Sequence, residues 1–294
     1  MNTNTSTTMH SAAMLSDTTF GQSLMSTIVG IKRSSGQWIV SVALVMVMML
    51  SAGVSWGQLT LPPGGSYTQN FDGLPTMPNG WTVRTGASAS VLGSVATIVD
   101  DTWANATGNF RNVAASEAPL TSGSNAAAQN SSADRALAVR QSGSFGDPGV
   151  SFNLQLANTT GKTGFSLSLT HMLMNEQTRI TTYTIQYTSV SAGTSGWMNL
   201  GTFTTSGAWG STSSGSLSLG SGLDNIANNV WIRVVALTAS NGSNNRDTYG
   251  IDDFVLTWNE PPPCTAPEGL SYTVSSAQYC HGAAITDNTP SFSN

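Results

Sequence analysis

Residues 248–258, TYGIDDFVLTW, read as a closing β-strand entered by two adjacent carboxylates, Asp252 and Asp253. Ile251, Phe254, Val255, Leu256 and Trp258 are β-branched, aromatic or apolar, which suits a pleated, half-buried surface. Gly250 precedes them, and Pro261, Pro262 and Pro263, which lack ladder donors, stop the strand. Neighbouring strand residues point to opposite faces, so one of the two aspartates faces inward or sits at the sheet's end. An inward carboxylate needs a partner: backbone N–H groups, an arginine or a metal.

Upstream of this strand the same period recurs. Phe152, Leu154 and Leu156 alternate with Ser151, Asn153 and Gln155. Phe165, Leu167 and Leu169 alternate with Ser166, Ser168 and Thr170, with an extension through His171 to Met174. Tyr183, Ile185 and Tyr187 alternate with Thr182, Thr184 and Gln186. Further strands are expected over 66–71, 80–83, 96–99, 136–139 and 197–203. VWIRVVAL, residues 230–237, is more continuously apolar and so belongs at the middle of a sheet. The pattern weakens over 86–130, and the Ser/Asn/Ala-rich residues 121–132 read as a loop. These are antiparallel signals with one face buried. With no helix-length pattern between them, two sheets must cover each other about 10 Å apart. The expectation is an all-β, two-sheet antiparallel β-sandwich over 66–259, with a linker over 58–65 and a proline linker over 260–263.

Composition agrees. Charged residues make up 9% of the 294, against about 25% in ordinary domains; Ser, Thr, Gly, Asn and Ala take their place. Net charge is −5 and there is no basic stripe, which argues against a nucleic-acid partner. The two cysteines, Cys264 and Cys280, both lie after the triple proline, so packing alone must hold the sandwich. In an oxidising compartment they can pair, closing a loop worth about 3 kcal/mol.

Lys32 and Arg33 precede the apolar run WIVSVALVMVMML, residues 38–50, and small residues follow. This describes a signal peptide within residues 1–57, with cleavage expected before Gln58 and no membrane span in the mature chain. The long region before Lys32 is unusual for a leader, and Met25 is a candidate true start. The rival reading is an uncleaved anchor, for which the run is short.

Three stretches, YTQNFDGLP, DRALAVRQSG with VSFNLQLANTTG, and VWIRVVAL with YGIDDFVLTW, occur in that order. Together they resemble the jelly-roll-like β-sandwich domains of secreted surface proteins from Bacteroidetes-type bacteria, over about two thirds of the chain. RALA stands where that family has RALG, and the loop 241–247 is rich in Asn where relatives are more acidic. Residues 264–294 resemble the opening of an immunoglobulin-like repeat, which would make the chain a fragment. The resemblance implies a structural or adhesive, non-catalytic module at the cell surface. It also implies a structural Ca²⁺ between the first and last strands, mapped onto Asp72, Asp252, Asp253 and Asn70. The plainer reading makes Asp72 a turn residue and bonds Asp252 and Asp253 to backbone or Arg135.

The alternative function is a carbohydrate-binding module with a structural Ca²⁺, which could be accessory to a hydrolase domain outside this chain, with glycans or other surface proteins as partners. Trp103 and Trp209 are the candidate ligand contacts, Trp209 because it sits in a polar stretch; Trp231 and Trp258 lie inside strands and read as packing residues. Catalysis is not expected. No G-x-S-x-G elbow, H-E-x-x-H, C-x-x-C or P-loop occurs. Asp100 with Asp252 or Asp253 could be imagined as a glycosidase pair, but turn aspartates explain them more simply. His171, at a strand end, reads as a structural histidine.

Overall fold

β14, Thr248–Asn259, runs through the middle of one sheet and organises it. The computed structural model describes residues 57–261. The expected leader, Cys264 and Cys280, and the segment expected to be immunoglobulin-like lie outside the described residues. Among the described residues no helix is long and apolar enough to cross a membrane.

The strands are β1 Ser66–Gln69, β2 Trp81–Thr85, β3 Ser94–Ala96, β4 Ile98–Asp100, β5 Asn109–Ala114, β6 Arg135–Arg140, β7 Ser151–Leu156, β8 Thr163–Asn175, β9 Thr182–Thr188, β10 Met198–Thr204, β11 Gly210–Ser213, β12 Leu217–Ser218, β13 Val230–Val235 and β14. One sheet runs β11-β8-β14-β6-β5-β4, with β1 added on β14 and β12 on β8; the other runs β10-β9-β13-β7-β2-β3. Facing each other, they form the expected β-sandwich.

β8 behaves as its period predicts, whereas in β7 the polar Ser151 and Asn153 are buried as well. In β8, Phe165, Leu167 and Leu169 are buried, while Ser166, Ser168 and Thr170 are half-buried on the other face. β13 lies inside its sheet between β9 and β7. The aromatic centre holds Trp81, which meets Phe71 and Phe254 edge-on at 5.0 and 5.1 Å, and Tyr183, stacked on Tyr249 at 3.8 Å. Edge-on and offset contacts of this kind stabilise beyond the area they bury.

Three details differ from the sequence reading. Residues 58–65 are not a free linker: Leu59 bridges Leu156, and Leu59 and Leu61 are buried in the core. Residues 121–132 contain a short helix, α1 (Ala126–Ser131), whose Asn125 cap accepts from the Ala128 N–H. β4 and β5 pair in parallel, whereas antiparallel pairing was expected throughout. Such pairs usually need a crossover of a dozen or more residues. Here residues 101–108 suffice because the buried Arg111 donates to the carbonyls of Thr102, Asn105 and Thr107, at 2.9, 3.2 and 2.6 Å.

Candidate functional site

The site follows from a change of partner along β14. Its first half, Thr248–Ile251, pairs with β6; its second half, from Phe254 to Thr257, pairs with β1. β8 flanks the other side of both halves, with a register shift between Asp252 and Val255. Two strand ends therefore meet at Asp252 and Asp253: the end of β1 and the start of β6. Asp253 takes a left-handed φ of 45° there, a conformation that Asp tolerates better than most residues.

This seam gathers carboxylates. Asp72 follows β1, Asp134 precedes β6, and Glu117 follows β5, whose end pairs with the start of β6. The Arg135 backbone N–H donates to Asp72 Oδ1 at 2.9 Å and joins the two strand ends. Asn70 Nδ2 donates to Asp72 Oδ2 at 2.5 Å. Asp252 is 1% exposed, and its Oδ1 accepts from the Asp253 N–H at 2.7 Å. Asp253 is exposed. Asp252 is thus the inward-facing member of the pair.

Among the described residues no arginine neutralises the buried carboxylate. The Arg135 guanidinium turns away, donating to Asn112 Oδ1, the Asn112 carbonyl and the Gln129 carbonyl. Burial, reinforced by the charges of Asp253, Asp134 and Asp72, pushes Asp252 up to about 9. Burial and the Glu117 charge push Asp134 up to about 6. Asp253 is raised as well, by burial and then by Glu117 and Asp72. These shifts favour the protonated, neutral form of each carboxyl.

The donor chemistry fits a hard cation. Every side-chain donor at the seam is oxygen, as Ca²⁺ requires, and carbonyls of the converging strand ends can extend the set. Among the described residues no three Asp, Glu, His or Cys side chains stand close enough together to cage an ion as they are. Of the residues expected from the sequence, Asp72, Asp252, Asp253 and Asn70 all come to the seam. Glu117 and Asp134 were missed. The scarcity of acidic residues, 15 Asp and Glu in the chain, was the signal that could have found them.

The aromatic candidates fare differently. Trp103 is 2% exposed and donates from Nε1 to the Ala114 carbonyl at 2.7 Å, so it is a packing residue and no surface contact. The polar loop around it misled the sequence reading, because that loop folds back over the sheet. Trp209 is half-buried against Trp103, ring centroids 5.5 Å apart. Trp231 and Trp258 are both buried. Trp197 is half-buried and lies over the Arg233 guanidinium at 3.6 Å. His171 is buried, its Nδ1 bonded to the Tyr249 hydroxyl at 2.7 Å and its ring stacked on Phe203 at 4.4 Å. Burial lowers its pKa to about 4.

An open cleft of about 760 Å³ adjoins the seam. Asp72, Leu74, Pro75, Asp100, Asn112, Asn130 and Arg135 are among the residues that line it.

No protein-family model matches the chain. No curated protein matches it either. Among solved structures it is similar to a xylan-binding domain from CBM 22, at 13% identity and a TM-score of 0.37, over 67% of this chain and 96% of that one. It is similar to the K1 cleaved adhesin domain of Lys-gingipain from Porphyromonas gingivalis W83, at 11% identity and 0.37, over 67% and 99%. A third is the CBM22-1 xylan-binding domain from Paenibacillus barcinonensis Xyn10C, at 14% identity and 0.35, over 65% and 92%.

Proposed function

We propose that this chain is a non-catalytic structural or adhesive module of a secreted, multi-domain surface protein, and that Ca²⁺ at the seam locks its first strand to its last. The observation that carries the reading is the buried Asp252 carboxylate. It has one backbone hydrogen bond, acidic neighbours in Asp253, Asp134 and Asp72, and no cationic partner among the described residues. Asp72, Asp252 and Asp253 would hold the ion, with Glu117, Asp134 and Asn70 beside them. The ion supplies the positive charge that the seam otherwise takes from protons. Its mechanical effect is direct: β1, β6 and β14 meet at this point, so an ion there resists peeling of β1 from the sheet edge. The burial of His171 against Tyr249 supports the non-catalytic part of the reading.

Thermal unfolding of the purified chain with Ca²⁺ and with a chelator tests it. An ion that binds only the folded state at a hundredfold excess over Kd adds about 2.7 kcal/mol. For a domain of this size that is a rise in Tm of roughly 5–10 °C. The rise should vanish in Asp253→Asn and Asp72→Asn. Superposed transitions in millimolar Ca²⁺ and in chelator would overturn the metal lock.

A further inference from the structure

The cleft beside the seam is built from groups of mixed sign. Asp100 is exposed at the end of β4, and its Oδ1 accepts from Asn112 Nδ2 at 2.8 Å. Asn112 is itself 5% exposed and is fixed on its other side by Arg135 Nε at 2.8 Å. The Arg135 fork uses three of its five N–H groups on Asn112 and Gln129, which leaves two for an incoming acceptor. Asn130 stands exposed on the rim, and Pro75 is exposed beside it over the buried Leu74.

We propose that this cleft binds a neutral polyhydroxylated ligand, a saccharide unit of a surface glycan. The lining selects for it by its hydrogen-bonding groups. Three carboxylates, Asp72, Asp100 and Asp101, stand against the single Arg135, so a free anion is repelled. A hydroxyl suits both, since it donates to a carboxylate and accepts from a guanidinium or amide at the same time. Pro75 offers an exposed apolar surface to the C–H face of a sugar ring. The lining is held by its own cross-links, with Asp100 fixed to Asn112 and Asn112 to Arg135, so the polar groups are placed before a ligand arrives. Among the described residues no aromatic platform lines the cleft, so directional hydrogen bonds carry recognition and the terminal or branch units of a glycan fit better than a flat stacked chain. The proposal goes beyond the reading of the chain as an adhesive module; Asp72 borders both cleft and seam, so the test turns on Asp100 and Asn130, which lie outside the seam.

The test is a glycan array probed with the purified chain, followed by calorimetry on the retained sugars. Asp100→Ala and Asn130→Ala remove cleft groups that lie outside the carboxylate seam. Each should weaken binding at least tenfold while leaving the Ca²⁺-dependent rise in Tm intact. The Tm of each variant in chelator reports that it folds. Retention of no saccharide overturns the proposal. So does sugar binding that survives Asp100→Ala and Asn130→Ala but is lost in Trp209→Ala, which would place the ligand elsewhere. Retention of lysine-rich peptides in preference to sugars overturns it as well, since it would make the cleft a cation site. Failure of the metal lock shows separately, as a Tm that ignores Ca²⁺ while sugar binding persists.

Discussion

Replacing Asp252 by asparagine should stabilise the metal-free protein, and the gain should depend on pH. In the fold this carboxyl is raised from 3.8 to about 9, first by burial and then by its acidic neighbours. A folded-state pKa above the unfolded one gives stability that is complete below the unfolded value and lost as pH rises toward the folded one. Each unit is worth 1.36 kcal/mol. At pH 7 the unfolded chain has released the proton and the folded chain has not, a gap of about three units, or about 4 kcal/mol. Asp252 is 1% exposed, so solvent screens little of this. An asparagine in its place does not titrate. The amide oxygen still accepts from the Asp253 N–H, and the amide hydrogens can face the remaining carboxylates. Chemical denaturation in chelator from pH 4 to pH 8 is the assay. Asp252→Asn should match the parent near pH 4 and exceed it by up to about 4 kcal/mol at pH 7, the gap widening by about 1.4 kcal/mol per unit. With Ca²⁺ the order should reverse, because the amide cannot supply the charge. Parallel stability curves for parent and variant across this range would falsify the reasoning.

Three further outcomes are expected. The His171 pKa is lowered to about 4, so stability present above pH 6.5 is lost as pH falls toward 4, by about 3 kcal/mol in all; an imidazole resonance, assigned by His171→Gln, that titrates between pH 6 and 7 would contradict this. Trp81→Ala removes a buried ring wedged between Phe71 and Phe254 and should cost about 3–5 kcal/mol in denaturant unfolding. Arg111→Met leaves the carbonyls of Thr102, Asn105 and Thr107 without their donor, at a cost of about 3–5 kcal/mol, and should expose residues 101–107 to limited proteolysis; a loop as resistant as the parent's would show that Arg111 does not hold it.

The sandwich itself was legible in the chain. Residues 151–156, 165–170 and 182–187 alternate polar and apolar side chains in plain view, although in β7 the polar Ser151 and Asn153 are covered too. β5 was not legible. Its sequence, NFRNVA, mixes Arg111 and Asn112 among apolar residues because both faces are covered, one by the core and one by the folded-back loop. β11, GSTS, carries no apolar residue at all and is a strand only because it pairs with β8. Trp103 looked exposed for a related reason: its neighbours are polar, and nothing local says that their loop closes over the sheet.

The candidate site divides the same way. That two adjacent aspartates in an apolar strand need a partner follows from local chemistry, so Asp252 and Asp253 stood out at once, and the family pattern brought in Asp72 and Asn70. Glu117 and Asp134 are distant in sequence and sit in ordinary connecting segments. They reach the seam because β14 exchanges β6 for β1 at Asp252, a matter of strand order and register. A linear pattern records which way each side chain points from its own strand. Which strand ends share a corner is set only when the sheet assembles, and that corner is where the charge accumulates.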